Sequence, residues 1–146
     1  MAAWHTQLEG TWEIKGTNFP MWLSNKRKNP RITYKQTEKK AVELLDLVEY
    51  EVNNKTKQIK GVDHVKDGKF VWRGLGILRI LSSRWQVVTI KGDVLVIRFE
   101  KSLMTPAGVD ILVKKGSKVP NLQQRVLAYH EGFGLTAEEK ATLRWK

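Results

Sequence analysis

From Gly10 to about Lys115 the chain is a succession of short segments, each broken by Gly, Asn, Asp or Pro, with almost no helical periodicity. Side chains on a strand point to alternate faces, so segments of this kind pair as antiparallel neighbours joined by tight turns. The clearest segment is 41–52, where Leu44, Asp46, Val48, Tyr50 and Val52 share one face, with Glu43, Glu49 and Glu51 on the other beside Leu45 and Leu47. Asn53-Asn54 supplies the positive φ of a tight hairpin, and 56–65 is its return strand. Asp67-Gly68 is the next turn. Phe70 and Trp72 then alternate with Val71 and Arg73, and Gly74 and Gly76 mark a corner where a sheet bends. Strands over 84–90, 94–101 and 109–115 follow, separated by turns at Lys91-Gly92-Asp93 and Thr105-Pro106-Ala107-Gly108. With 8–15 and 31–37 added, about eight strands result, enough for an up-and-down antiparallel barrel that closes on itself around one small ligand.

Beyond Lys115 the period changes. Pro120 stands near a helix start, Leu122, Val126, Tyr129 and Phe133 recur at helical spacing, and Gly132 and Gly134 supply the stop. One amphipathic helix is predicted to pack on the barrel. Thr136-Ala137-Glu138-Glu139 fits a capping box for a further helical turn. The expected fold class is therefore mainly β, as a single domain over residues 1–146. With 41% apolar and 28% charged residues such a chain can bury a core without metals or disulfides.

The absence of Cys excludes disulfides, thiolate nucleophiles and Cys-ligated metals. Met1-Ala2-Ala3-Trp4-His5-Thr6-Gln7 lacks a basic segment followed by an apolar run, and no later stretch approaches about 18 uninterrupted apolar residues. A cytoplasmic protein that does not span a membrane is expected. The net charge of +11 favours anionic partners without choosing among them. Much of the excess lies in Lys26, Arg27, Lys28, Arg31, Lys35, Lys39 and Lys40, a run that reads as a solvated loop and strand face. It lacks the closely interleaved aromatics that stack bases, so nucleic acid is not the expected partner, while peripheral contact with an anionic membrane stays open.

Gly10-Thr11-Trp12, at the start of the first strand, resembles the Gly-x-Trp signature of lipocalins, in which the Trp plugs the closed end of the barrel. Val119-Pro120-Asn121-Leu122 through His130-Glu131-Gly132-Phe133 resembles the single helix after the eighth strand of bacterial lipocalins. The resemblance makes Leu143-Arg144-Trp145 a short ninth strand returning to the first. Asn18-Phe19-Pro20-Met21-Trp22, and Phe99 through Met104-Thr105-Pro106-Ala107-Gly108-Val109-Asp110, are similar to a cytosolic lipocalin-like group of microbes and plants that brings no function with it. Where many lipocalins stack an Arg over the signature Trp, this chain offers Lys114-Lys115. It also lacks the Cys of the secreted, disulfide-linked animal proteins.

Given a barrel, alternation turns Trp72 with Phe70, Tyr50 with Val48, and Trp85 with Val87 inward. These aromatics either line a cavity or fill a dry core. Asp46 shares the inner face of its strand, where a carboxylate is expensive to bury unless it is paired. Arg98, between Val96 and Glu100 on one face, could neutralise Asp46 or hold a ligand carboxylate. Asp63-His64 cannot form a simple pair, because neighbours on a strand face opposite ways. His5, His64 and His130 are too scattered for a metal motif, although a haem site needs just one of them. Gly74-Leu75-Gly76 is too short for a nucleotide fingerprint, and no catalytic residues stand out. No cofactor or metal is expected.

Three functions follow. The leading one is binding of a small apolar or amphipathic ligand by Tyr50, Phe70, Trp72, Trp85, Asp46 and Arg98, with Arg98 serving an acidic ligand. The second, by analogy of fold, is a cofactor-free isomerase or cyclase in the same cavity. The third is an adaptor for nucleic acid or an anionic membrane that uses the basic surface.

Overall fold

The computed structural model describes residues 7–37, 43–78, 80–102 and 106–146; His5, Lys39, Lys40, Met104, Thr105 and the start of the predicted 41–52 strand lie outside them. Eight strands follow in chain order: β1 (Gly10–Thr17), β2 (Lys28–Gln36), β3 (Glu43–Val52), β4 (Lys55–Lys66), β5 (Lys69–Gly74), β6 (Ser82–Lys91), β7 (Val94–Phe99) and β8 (Gly108–Lys114). Each is antiparallel to the next, and β1 pairs with both β2 and β8, so the sheet closes into the predicted barrel. Asn53 and Asn54, at φ 51 and 63, make the two-residue hairpin between β3 and β4. Asp67 and Gly68, at φ 53 and 77, do the same between β4 and β5, a pair of positive φ values whose twist matches that of the flanking strands. β1 is shifted two residues along from the predicted 8–15, because Leu8 serves the core from outside the strand.

The inner core joins Leu8, Trp12, Ile14, Ile32, Tyr34, Leu44, Phe70, Trp85, Leu95, Ile97 and Leu112. Trp12 closes one end: it is 1% exposed, and its Nε1 donates to the Leu8 carbonyl at 2.8 Å. The Lys114 ammonium lies 4.8 Å from the centroid of the Trp12 ring, so Lys114 of the Lys114-Lys115 pair covers the signature Trp. Gly10 makes this possible. Its φ is +120°, and a Cβ there would stand 2.7 Å from Lys114 Nζ.

A second apolar cluster lies outside the barrel, where Val94, Val96, Val109, Ile111 and Val113 meet Leu122, Val126, Leu135 and Leu143. Both faces of β7 and β8 are thus covered, which is why these two strands read as continuous apolar runs. The covering elements are α1 (Leu122–Ala128), a 3-10 turn (His130–Phe133), α2 (Ala137–Thr142) and β9 (Arg144–Trp145). The helix predicted across Leu122 to Phe133 therefore breaks at Tyr129, which is 68% exposed instead of packed. Thr136 and Glu139 form the expected capping box, and β9 pairs with Gly16 and Thr17 of β1. Among the described residues no helix is long and apolar enough to cross a membrane.

Candidate ligand cavity

At the end of the barrel opposite Trp12, the connection after β1 folds back over the mouth. Thr17 and Asn18 fix it there: Thr17 Oγ1 accepts from the Phe19 amide at 2.9 Å, and Asn18 Oδ1 accepts from the Val109 amide at 2.7 Å. Pro20 then opens a 3-10 turn through Trp22, where its missing N–H costs nothing. Trp22 is buried by the turn and meets Tyr50 edge-on at 5.6 Å between centroids. Phe19 packs on Phe99 at 5.0 Å. Arg27 ties the far side of the loop, its Nη1 donating to the Met21 carbonyl at 3.0 Å and its guanidinium 5.5 Å from the Tyr50 centroid.

Beneath this loop lies a cavity of about 560 Å³. Its wall is mostly apolar, including Phe19, Trp22, Ile32, Val48, Ile59 and Trp72. Trp72 reaches its place across Gly61, where an added Cβ would fall 2.2 Å from the indole Nε1. Deeper in the barrel, Tyr34 stacks on Trp85 at 5.5 Å and Phe70 on Trp85 at 4.5 Å. That stack is part of the solid core and separates the cavity from the Trp12 end.

The polar side chains on the wall include Tyr34, Asp46, Ser83 and Asp110. Asp63 is close by, on β4, next to β3. The three aspartates are 6%, 0% and 1% exposed for Asp46, Asp63 and Asp110 respectively. Thr17 Oγ1 donates to Asp110 Oδ1 at 2.6 Å, and Trp85 Nε1 donates to Asp63 Oδ1 at 2.9 Å. Among the described residues no N–H or hydroxyl donor reaches Asp46 Oδ1, Asp63 Oδ2 or Asp110 Oδ2, while the Asp46 and Asp63 carboxyls are hydrogen-bonded to each other. Burial raises the Asp46 carboxyl to about 6, partly offset by its neighbour Asp63, and raises Asp110 to about 7 against the Thr17 hydrogen bond. Asp63 is raised well above the ordinary range, by burial first and then by the charge of Asp46. Tyr34 is pushed up by burial and by the surrounding aspartates. Among the described residues no group of three His, Asp or Glu side chains has metal-binding geometry.

The structure divides the predicted site residues. Asp46 and Trp72 line the cavity. Tyr50 stands behind its wall, against Trp22. Phe70 and Trp85 point inward as expected but belong to the packed core below. Arg98 must be reassigned. Leu95, Ile97 and Phe99 take the inner face of β7, so Arg98 follows Val94 and Val96 outward. There its Nε and Nη2 donate to Glu139 at 2.7 Å each, and Nη2 also donates to the Gly134 carbonyl at 2.9 Å. It neither neutralises Asp46 nor reaches the cavity. The misreading has a physical source, since Leu122, Val126, Leu135 and Leu143 cover the outer face of β7 and burial no longer distinguishes inside from outside.

Asp110, Tyr34 and Trp22 were not anticipated as cavity residues, nor Asp63 as the acid behind Asp46. Asp110 carried a signal, as one acid in the run Val109-Asp110-Ile111-Leu112-Val113. The opposite facing of Asp63 and His64 is as expected: Asp63 turns in, and His64 Nε2 lies 3.2 Å from Glu43 on the outside. Within the basic run, Arg31 is engaged by Glu51 at 2.8 Å and lies 3.8 Å from Glu49.

A closed antiparallel meander of eight strands, plugged by a first-strand Trp at one end and covered by its first loop at the other, with a C-terminal helix on its flank, is a lipocalin-like barrel. Solved structures agree. The chain is similar to lobster apocrustacyanin A1, with a TM-score of 0.67 and 6% identity over 97% of this chain and 77% of that one. Apocrustacyanin C2 gives 0.69 and 6%, and apocrustacyanin C1 0.68 and 9%, each over 97% of this chain and 78% of the other. At such identities the likeness is one of fold. No protein-family model matches the chain, and no curated protein matches it in sequence.

Proposed function

We propose that this protein binds a small, largely apolar molecule inside the barrel, beneath the loop between β1 and β2. The observation that carries this reading is the cavity of about 560 Å³ walled by Phe19, Trp22, Val48 and Trp72, with a few polar groups among them. Its size and its mixture of apolar wall and sparse polar groups are those of small-molecule sites, which run to about 300–1,000 Å³. A preference for acidic ligands has no support, because the Arg98 guanidinium is committed to Glu139 outside the barrel. Nucleic acid is not part of the reading either, since Arg27 and Arg31 of the basic run are engaged by neighbours of their own. The chain is read as cytoplasmic, on the sequence alone.

A second reading, an isomerase or cyclase in the same cavity, is favoured by one observation: two adjacent hydrogen-bonded carboxyls, Asp46 and Asp63, both raised above the ordinary range by burial. Recovery of a chemically changed compound after incubation separates it from simple binding.

Titration with N-phenyl-1-naphthylamine, a neutral dye that brightens in apolar surroundings, tests the main reading. One saturable site is expected, emptied by structurally unrelated apolar competitors and weakened about tenfold by Trp72→Ala through lost aromatic contact. Unsaturable binding, or binding indifferent to Trp72→Ala, would count against it.

A further inference from the structure

We propose that the cavity selects ligands carrying a basic nitrogen, with the protonated amine seated against Asp46 and Asp110 and with Asp63 behind them. This rests on the binding reading above and gives its ligand a chemical class. The fold accounts for one oxygen of two of these acids: Thr17 takes Asp110 Oδ1, and Trp85 takes Asp63 Oδ1. Among the described residues no N–H or hydroxyl donor reaches the remaining oxygens: Asp46 and Asp63 hold each other through a hydrogen bond between their carboxyls, and Asp110 Oδ2 is left without a partner. A buried polar group left unpaired is costly, and two acids sharing one hydrogen bond beside a third that lacks a partner leave room for a ligand's donors.

Asp46 and Asp110 are themselves part of the cavity wall, with the free oxygens covered just behind its surface, so a turn of the carboxyl group brings them to a ligand. The groups facing them come from every side: Tyr34 from β2, Asp63 from β4, Ser83 from β6, Trp72 from β5, Phe99 from β7 and Thr17 from β1. None of these carries positive charge, and among the described residues no Lys, Arg or His lines the cavity. The protein as a whole has a net charge of +11, so an acidic interior runs against its composition. A primary ammonium offers three donors and no acceptor, which complements such a set. An alcohol offers one donor, and a carboxylate meets like charge. Phe19, Trp22 and Trp72 add aromatic faces, on which a cation is also favoured.

Burial disfavours the ionised carboxyls in the empty cavity and an arriving ammonium favours them, so binding in the range where the acids titrate releases protons to solvent and leaves an ion pair.

Calorimetry with a matched series, 4-phenylbutylamine, 4-phenylbutanol and 4-phenylbutyrate, tests the proposal on the whole chain. The amine should bind about tenfold or more tightly than the alcohol, with the butyrate weakest. Asp46→Asn and Asp110→Asn should each erase most of the preference for amine over alcohol. Should either variant fail to fold, the wild-type protein still decides the matter. Amine affinity should rise from about pH 5 to about pH 8 as the acids ionise, and alcohol affinity should not. Alcohol or butyrate binding as tight as that of the amine, or a preference independent of both pH and the aspartates, overturns the amine proposal and leaves the binding reading intact. If no compound of the series or the apolar dye binds, both fail together.

Discussion

Trp12 is held by three contacts of different kinds: apolar burial, a hydrogen bond from its Nε1 to Leu8, and the Lys114 ammonium over its ring. Removing a buried Trp leaves a hole that the surrounding strands fill incompletely, so Trp12→Ala is expected to cost about 3–5 kcal/mol in denaturant unfolding. An unchanged unfolding midpoint would show that the plug is elsewhere. Asp110 acts in the opposite sense. Its folded-state carboxyl, at about 7, lies above the ordinary value of 3.8, so the folded protein holds that proton more tightly than the unfolded chain does. The stability associated with it is complete below the unfolded value and is lost as pH rises through the folded one, a swing on the order of 4 kcal/mol. Asp110→Asn, similar in shape and never charged, should therefore melt at a higher temperature than wild type above about pH 7, with the gap closing toward pH 4. Parallel melting curves across that range would contradict the assignment. These buried acids were only half legible in the sequence. Asp46 was visible because its strand alternates cleanly, whereas Asp63 and Asp110 sit beside residues that hide the inner face: a polar neighbour at His64, and apolar neighbours on both sides of Asp110.

Among the secondary elements, the outer layer of β7 and β8 decides how much of the fold could be read in advance. The hairpins at Asn53-Asn54 and Asp67-Gly68 were legible because the residues at the turn need positive φ and the strands around them alternate. β7 was not, since α1, α2 and β9 convert its outer face into a second core and remove the contrast that alternation depends on. Arg98 was misplaced for that reason alone. Its actual role is to fasten α2: Glu139 accepts from Arg98 through both oxygens, and its Oε1 also accepts from the Thr136 amide at 3.0 Å. Glu139→Ala removes the capping box and the ion pair together. A loss of about 1–2 kcal/mol is expected, read as faster amide exchange confined to α2 and β9. Exchange unchanged in α2 would mean that apolar packing by Leu135 and Leu143 holds this layer without help.

For the molecule as a whole, a barrel closed by β1 pairing on both sides leaves two different ends. One is filled by Trp12, Lys114 and the Tyr34–Trp85–Phe70 stack, and the other keeps a space under Phe19 and Trp22. The central claim is that this space receives a ligand. Titration of isotope-labelled protein with 4-phenylbutanol, followed by nuclear magnetic resonance, tests it directly because each wall residue reports separately. Shifts confined to the upper barrel, with intermolecular contacts from the phenyl ring to Val48, Ile59 and Trp72 and none at Trp12, are the predicted result. Absence of any saturable shift, or contacts lying on the outer face around Arg98 and α2, would contradict it.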